Sequence, residues 1–284
     1  MVHSYICLNG EFIKDNEPCL HPGNRAFRYA DSLSENIHAF ATEPQFLDRH
    51  LNRLTGNMQL LSMEVPAYFT VENLHRLIER LLNKNRIFGG AGIRLTVFRN
   101  EGPDFVPADH HVSFIMESKS LISGKYDLNE KGYCIDICSE YSKVKGGLSG
   151  LRNSNSLTYL MAAMQGRKEN LDAVILLNED NRLVETTDAN LFLVSSSSVY
   201  TPGVDQGCIP GIMRSIVTGL ANEAGYSVND QCSLTPVALD DAEEVFLTNA
   251  TEGICWVGAY RKRRYYNKVA KQLTARLNHL AFGG

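Results

Sequence analysis

The stretch from Leu148 to Val194 limits the possible folds more than any other part of the chain. Asn153, Ser154 and Asn155 are residue types that cap helix starts, and Leu157, Leu160, Met161 and Met164 then repeat at helical spacing as far as Gly166. Ala173 to Leu177 is an apolar run too short for a helix and reads as a buried strand. A polar turn at 178–181 follows, then Arg182 to Thr186 and Asn190 to Val194 as two more strands, and a loop of four serines, Ser195 to Ser198. A helix feeding strands joined by tight turns commits this half of the chain to an antiparallel meander.

The flanks read as mixed helix and strand. Tyr5 to Phe12 is a hairpin around Asn9-Gly10, the dipeptide of a type I′ turn. The helix through 46–63 sets Leu51, Leu54, Met58 and Leu61 on one face, and a second, Val71 to Asn85, turns Leu74, Leu77, Ile78, Leu81 and Leu82 inward. Two strands follow, GIRLTVFR and VSFIMES. The polar, glycine-containing stretch 119–127 reads as a linker between a smaller α/β domain, 1–118, and a larger one, 128–284. In the larger one, a strand over 133–141 precedes the central stretch. Beyond that stretch, a glycine-rich turn opens a helix ending at Gly225, a strand–turn–strand runs from Glu243 to Val257, and the tail from Asn267 to Leu280 reads as a surface helix.

Composition narrows the function. A chain of 284 residues, 44% hydrophobic and 21% charged, can bury a proper core, and a net charge of −4 gives no reason to expect nucleic-acid or membrane binding. The basic run Arg261 to Arg264 reads as a solvated turn. No apolar run approaches a membrane span, and the N-terminus has no secretory pattern. The seven cysteines are scattered and odd in number, and read as buried thiols of a reducing cytoplasm rather than as disulfides or a zinc site.

Several motifs together resemble the pyridoxal-phosphate (PLP) enzymes of fold type IV: branched-chain aminotransferases, D-amino-acid transaminases and aminodeoxychorismate lyases. Val184 to Phe192 is similar to the family's Glu-x-x-x-x-Asn-Leu/Ile-Phe signature, with Glu185 and Asn190 at its fixed positions. His50, Arg53 and Leu54 match the His-x-x-Arg-Leu helix, and Gly211-Ile212-Met213-Arg214 matches the Gly-Ile-x-Arg helix start. The resemblance implies that Arg53 and the backbone N–H groups of Ile212 and Met213 seat the PLP phosphate. A planar guanidinium and an open helix N-terminus both suit a phosphate. It implies that Glu185 keeps the pyridine nitrogen protonated. Asn249-Ala250 would complete the phosphate turn, in the form most like the lyases. On the substrate side stand Tyr29, Glu35 and Arg99, in segments that depart most from the family. Both glycines of the Tyr/Phe-Gly-Asp-Gly run are replaced, and no arginine follows Arg99 to trap a carboxylate as in D-amino-acid transaminases. The resemblance spans Asn9 to about Val257. It implies a two-domain α+β fold and a homodimer acting on an amino-acid-like small molecule.

One position breaks the pattern. The motif Leu-x-Gly-Leu-Lys-x-x-Asn should carry the lysine that holds PLP as an imine and moves the substrate proton. Here Leu148 to Asn155 carries Arg152 instead, 33 residues before Glu185, which is the family's spacing. A guanidinium stays protonated and is not a nucleophile. Lys143 and Lys145 lie upstream and would have to reach the ring from another strand or turn, so neither is expected to replace it. Three functions stay open: an aminotransferase or lyase with altered proton chemistry, a homologue holding PLP or its amine form (PMP) non-covalently, and a binder of another phosphate ligand.

Overall fold

The computed structural model describes residues 4–102 and 104–283, so the first three residues of the N-terminus, Pro103 of the loop after Arg99, and Gly284 lie outside the described residues. Contacts divide the chain into two units, one of residues 1–125 with 151–155, the other of 126–150 with 156–284. The division after Lys125 falls within the 119–127 stretch.

The first unit is a six-stranded antiparallel sheet with helices on it. Its elements are β1 (Tyr5–Leu8), β2 (Glu11–Lys14), α1 (Arg25–Tyr29), β3 (Ser32–Phe40), β4 (Glu43–Pro44), α2 (Leu47–Leu60), α3 (Val71–Lys84), β5 (Gly90–Arg99) and β6 (Val112–Ser120). The strand order is β2-β1-β6-β5-β3-β4. The first hairpin turns at Asn9 and Gly10, whose φ of 51° and 92° are those the Asn-Gly dipeptide favours. Leu47, Leu51, Leu54 and Met58 of α2 and Leu74, Ile78, Leu81 and Leu82 of α3 are buried in one core with Ile37, Ile93 and Met116 of the sheet. Leu61, the residue that ends α2, packs half-buried against the same core.

The second unit contains β7 (Tyr133–Lys143), α4 (Leu157–Lys168), β8 (Ala173–Asn178), β9 (Leu183–Thr186), β10 (Asn190–Ser195), β11 (Ser198–Pro202), α5 (Ile212–Glu223), β12 (Ser227–Cys232), α6 (Val237–Asp241), β13 (Glu244–Asn249), β14 (Gly253–Tyr260), β15 (Arg263–Arg264) and α7 (Lys268–Phe282). The strands run β12-β11-β10-β13-β14-β7-β8-β9, with β15 on β14. Strand β9 also pairs with β10, which closes β10, β13, β14, β7, β8 and β9 into a ring. The expected meander β8–β9–β10–β11 is present, each pair antiparallel.

Three sequence expectations change. The helix expected over 155–166 is α4, which begins after Ser156 without a side-chain cap. Its regular apolar positions do not face the sheet: Leu157 is 65% exposed, and Leu160 and Met164 are also open. Small residues occupy the seam instead, because the helix lies close against β8. A Cβ on Gly166 would sit 2.2 Å from Val174 Cγ2, and Ala162 is fully buried beside Val174 and Leu176. The tail helix α7 is not wholly a surface element, since Val269, Ala270, Leu273 and Leu277 are buried, and the Glu244 carboxylate accepts from the N–H groups of Val269 and Ala270 to cap its start. The cysteines are only in part buried: Cys7, Cys138, Cys208 and Cys255 are, whereas Cys134 is exposed and Cys19 and Cys232 are half-buried.

Candidate active site

The ring of strands closes at a single pair of residues, Glu185 of β9 opposite Asn190 of β10. All four residues of β9 are buried, so a carboxylate there is costly unless its oxygens find donors. It finds four. Oε1 accepts from Tyr159 Oη at 2.7 Å and from the Lys143 ammonium, in direct contact. Oε2 accepts from Ile209 N at 2.9 Å and Asn190 Nδ2 at 3.3 Å. Lys143 is the one buried lysine among the described residues, at 8% exposure, with its ammonium 5.2 Å from the centre of the Tyr159 ring.

The same pair reaches the helix start implied for the phosphate. Asn190 Nδ2 also donates to Ile209 O at 2.9 Å, and Gly211 sits so close that a Cβ on it would lie 2.1 Å from Asn190 Oδ1. Glycine at 211 is therefore required by this approach. No side chain caps α5, and the N–H groups of Ile212 and Met213 stand in its first turn, where a helix offers no backbone acceptor. Arg214, the last residue of the helix-start motif, anchors α5 from within, donating to Pro202 O at 3.1 Å and to Asp230 O. Thr248 of β13 stands opposite Asn190, hence on its face of the sheet, and its buried hydroxyl has no hydrogen-bond partner. Asn249 and Ala250 begin the next turn. Asn249 Oδ1 accepts from Thr251 N and Glu252 N, so the side chain shapes the turn. Cys208 lies close by, but burial and the Glu185 charge push its thiol up to about 11, which removes it as a neutral-pH nucleophile.

In the first unit a second buried carboxylate has its own clamp. Arg53 grips Glu35 with Nε at 2.9 Å from Oε1 and Nη2 at 2.5 Å from Oε2, and His50 Nδ1 lies 2.6 Å from Oε2. Burial alone would push the Glu35 carboxyl up, but the His50 hydrogen bond and the Arg53 charge outweigh it and hold it below the usual range. The segment carrying Arg152 runs beside β3: Ser34 N donates to Arg152 O at 2.8 Å, Asn153 bridges to Leu33, and Leu151 joins the core. The Arg152 side chain is half-buried.

The two remaining residues expected on the substrate side are built into a separate network. Arg99 is buried and bonds Asp31, Ser62 O, Leu61 O and His110 Nδ1, so all three guanidinium nitrogens face protein partners. Arg25, which no sequence motif marks, shares Asp31 and ties down the 104–105 loop, and its guanidinium lies over the Tyr29 ring. Tyr29 is 40% exposed and meets Phe105 edge-on.

The structure thus gathers Glu185, Asn190, Ile212 and Met213 in one place, with Asn249 and Ala250 following the residue opposite Asn190. It sets Glu35 with Arg53, and Arg99 with Tyr29's neighbour Arg25. Two contributors were missed. Tyr159 was hidden in a helix read for its apolar spacing. Lys143 was not expected there, because it lies upstream of position 152 and would have to reach the ring from another strand or turn. Strand β7 runs parallel to β8 with Lys143 opposite Asn178, and β9 returns along β8 with Glu185 opposite Leu176, which brings the two side chains together.

A family model for amino-transferase class IV matches residues 32–260. The chain belongs to this family, and its fold is fold type IV. An aminodeoxychorismate lyase of Vibrio harveyi is 25% identical over 234 residues, 82% of this chain and 84% of that protein. A putative branched-chain-amino-acid aminotransferase of Methanocaldococcus jannaschii is 27% identical over 279 residues, 96% of this chain and 93% of that one. The PLP (holo) form of a branched-chain amino acid aminotransferase from Thermobaculum terrenum superposes with a TM-score of 0.85 at 19% identity, covering 99% of this chain and 94% of that one. Among the described residues no helix is long and apolar enough to cross a membrane, and no cluster of side chains could hold a metal ion.

Proposed function

We propose that the protein is a PLP-dependent transferase or lyase that acts on an amino acid or an aminodeoxychorismate-like substrate as a homodimer. Its chemistry is atypical because Arg152 stands at the lysine position of the motif. The observation that carries this reading is the seam of the ring, where a buried carboxylate with four donors adjoins an uncapped helix start. The donor set fits the cofactor: an acid for a protonated pyridine nitrogen, first-turn N–H groups for a phosphate, and the partnerless Thr248 hydroxyl on the same sheet face.

When bound, PLP supplies an aldehyde that captures amines and a ring that withdraws electrons from them. The chain's own residues do the rest. Glu185 keeps a positive charge at the seam. Ile209 N and Asn190 hold that carboxylate in one orientation and tie it to the α5 start. Ile212 and Met213 offer N–H groups where the helix dipole favours an anion. Arg53, whose fork is held on Glu35, would add its positive charge to the phosphate seat, and Arg152 would supply a fixed charge that polarises a carbonyl but cannot shuttle the substrate proton at neutral pH. The homology to lyases as well as aminotransferases supports both reaction types.

The test is equilibrium dialysis of PLP against the purified full-length protein, followed by assays of amino transfer and of pyruvate release. Wild type retains PLP. Arg53→Lys keeps the charge beside Glu35 but loses the fork, and weakens PLP binding by about 2 kcal/mol, roughly thirty-fold. Equal affinity in the two proteins removes Arg53 from the phosphate seat, and no PLP retention by wild type removes the proposed function.

A further inference from the structure

Lys143 is a buried cation with one acidic partner, and that partner is Glu185. A buried ion pair is a weak source of stability, because desolvating both charges offsets most of their attraction. Here the carboxylate already has three neutral donors, from Tyr159, Ile209 and Asn190. The lysine adds charge neutralisation at a place where the proposed cofactor would bring a cation of its own.

The other amines near the central stretch are out of play. Lys145 is partly exposed and bound to the exposed Asp180. Position 152 carries a guanidinium, which forms no imine under these conditions. Lys143 combines a flexible four-carbon stem with burial and a phenol ring beside its ammonium. Tyr159 and Lys143 share the same carboxylate oxygen, so a hydroxyl stands next to the amine.

We infer that Lys143, on the last residue of β7, is the amine that binds the aldehyde of PLP covalently, in place of the lysine missing at position 152. This inference rests on the proposed PLP function. In the step, the Lys143 nitrogen adds to the aldehyde carbon, the C=O bond breaks and a C=N bond forms. Two of the three ammonium hydrogens leave with the aldehyde oxygen as water, and the third stays on the protonated imine. No oxidant or further reactant is needed. As Lys143 leaves Glu185, the protonated pyridine nitrogen takes its place, so the buried carboxylate exchanges one cation for another and is never left uncompensated.

The experiment is borohydride reduction of the full-length protein saturated with PLP, then proteolysis and peptide mass spectrometry. The expected result is a pyridoxyl group on Lys143, in close to one copy per chain. Lys143→Arg keeps a cation on Glu185, so it unfolds at the wild-type temperature, and at saturating PLP it carries no label. A label on Lys145 or another lysine overturns the inference, as does a label that persists in Lys143→Arg. Bound PLP with nothing reducible overturns it too, while leaving the proposed function in place. If wild type retains no PLP, both fall.

Discussion

Glu35 and Glu185 are both buried carboxylates on strands, yet their surroundings differ in kind. Glu35 is closed by a guanidinium fork and an imidazole, three bonds from two basic side chains. Glu185 is closed by one ammonium, one phenol, one amide and one backbone N–H. The first arrangement is planar, bidentate and hard to exchange. The second has a single point charge among neutral donors, so the charge is the part that moves. The difference separates a carboxylate that fixes a strand to a helix from one prepared to hand its charge partner over to a ligand.

Breaking each clamp gives the largest contrast. Arg53→Ala leaves Glu35 buried with only His50, and is expected to cost about 3–5 kcal/mol, the scale of a broken buried pair. Lys143→Met leaves Glu185 three neutral donors and is expected to cost about 1–3 kcal/mol, the scale of one unsatisfied buried group. Urea unfolding of both variants checks this order. Equal losses would mean that the Glu185 pair is as structural as the Glu35 clamp.

A smaller effect comes from pH. The Glu35 carboxyl is held below its ordinary range in the folded chain, so its contribution to stability is fully present above the unfolded value of about 4.3 and is lost as pH falls through the lower folded value. Wild type should therefore lose stability more steeply than Glu35→Gln as pH falls below about 4.3, read from the urea midpoint at each pH. Parallel slopes would show that the clamp is not what holds Glu35 ionised.

Short-range patterns made the Glu185 carboxylate legible and hid its charge partner. Glu185, Asn190 and the Gly211 to Arg214 turn are local patterns, and local patterns survive in one dimension. The Asn9-Gly10 hairpin and the inner faces of α2 and α3 were legible for the same reason. Lys143 was not, because its approach to Glu185 depends on the parallel register of β7 with β8, which no short-range spacing encodes. Arg99 was expected on the substrate side and Arg25 carried no motif, and only the fold shows the two sharing Asp31. The α4 face misled for a physical reason: apolar spacing marks a face that can be buried, whereas close approach to β8 selected Ala162 and Gly166 for the seam.

With Lys143 as the imine-forming amine, the lysine's task passes from position 152 to position 143 while Glu185 and the helix start stay in use. The most direct measurement is the visible absorption spectrum of four PLP-saturated proteins: wild type, Lys143→Arg, Arg152→Lys and the double variant Lys143→Arg with Arg152→Lys. An imine band is expected in wild type, is lost in Lys143→Arg, and returns in the double variant from the position the family uses. An imine band that survives in Lys143→Arg would contradict that assignment.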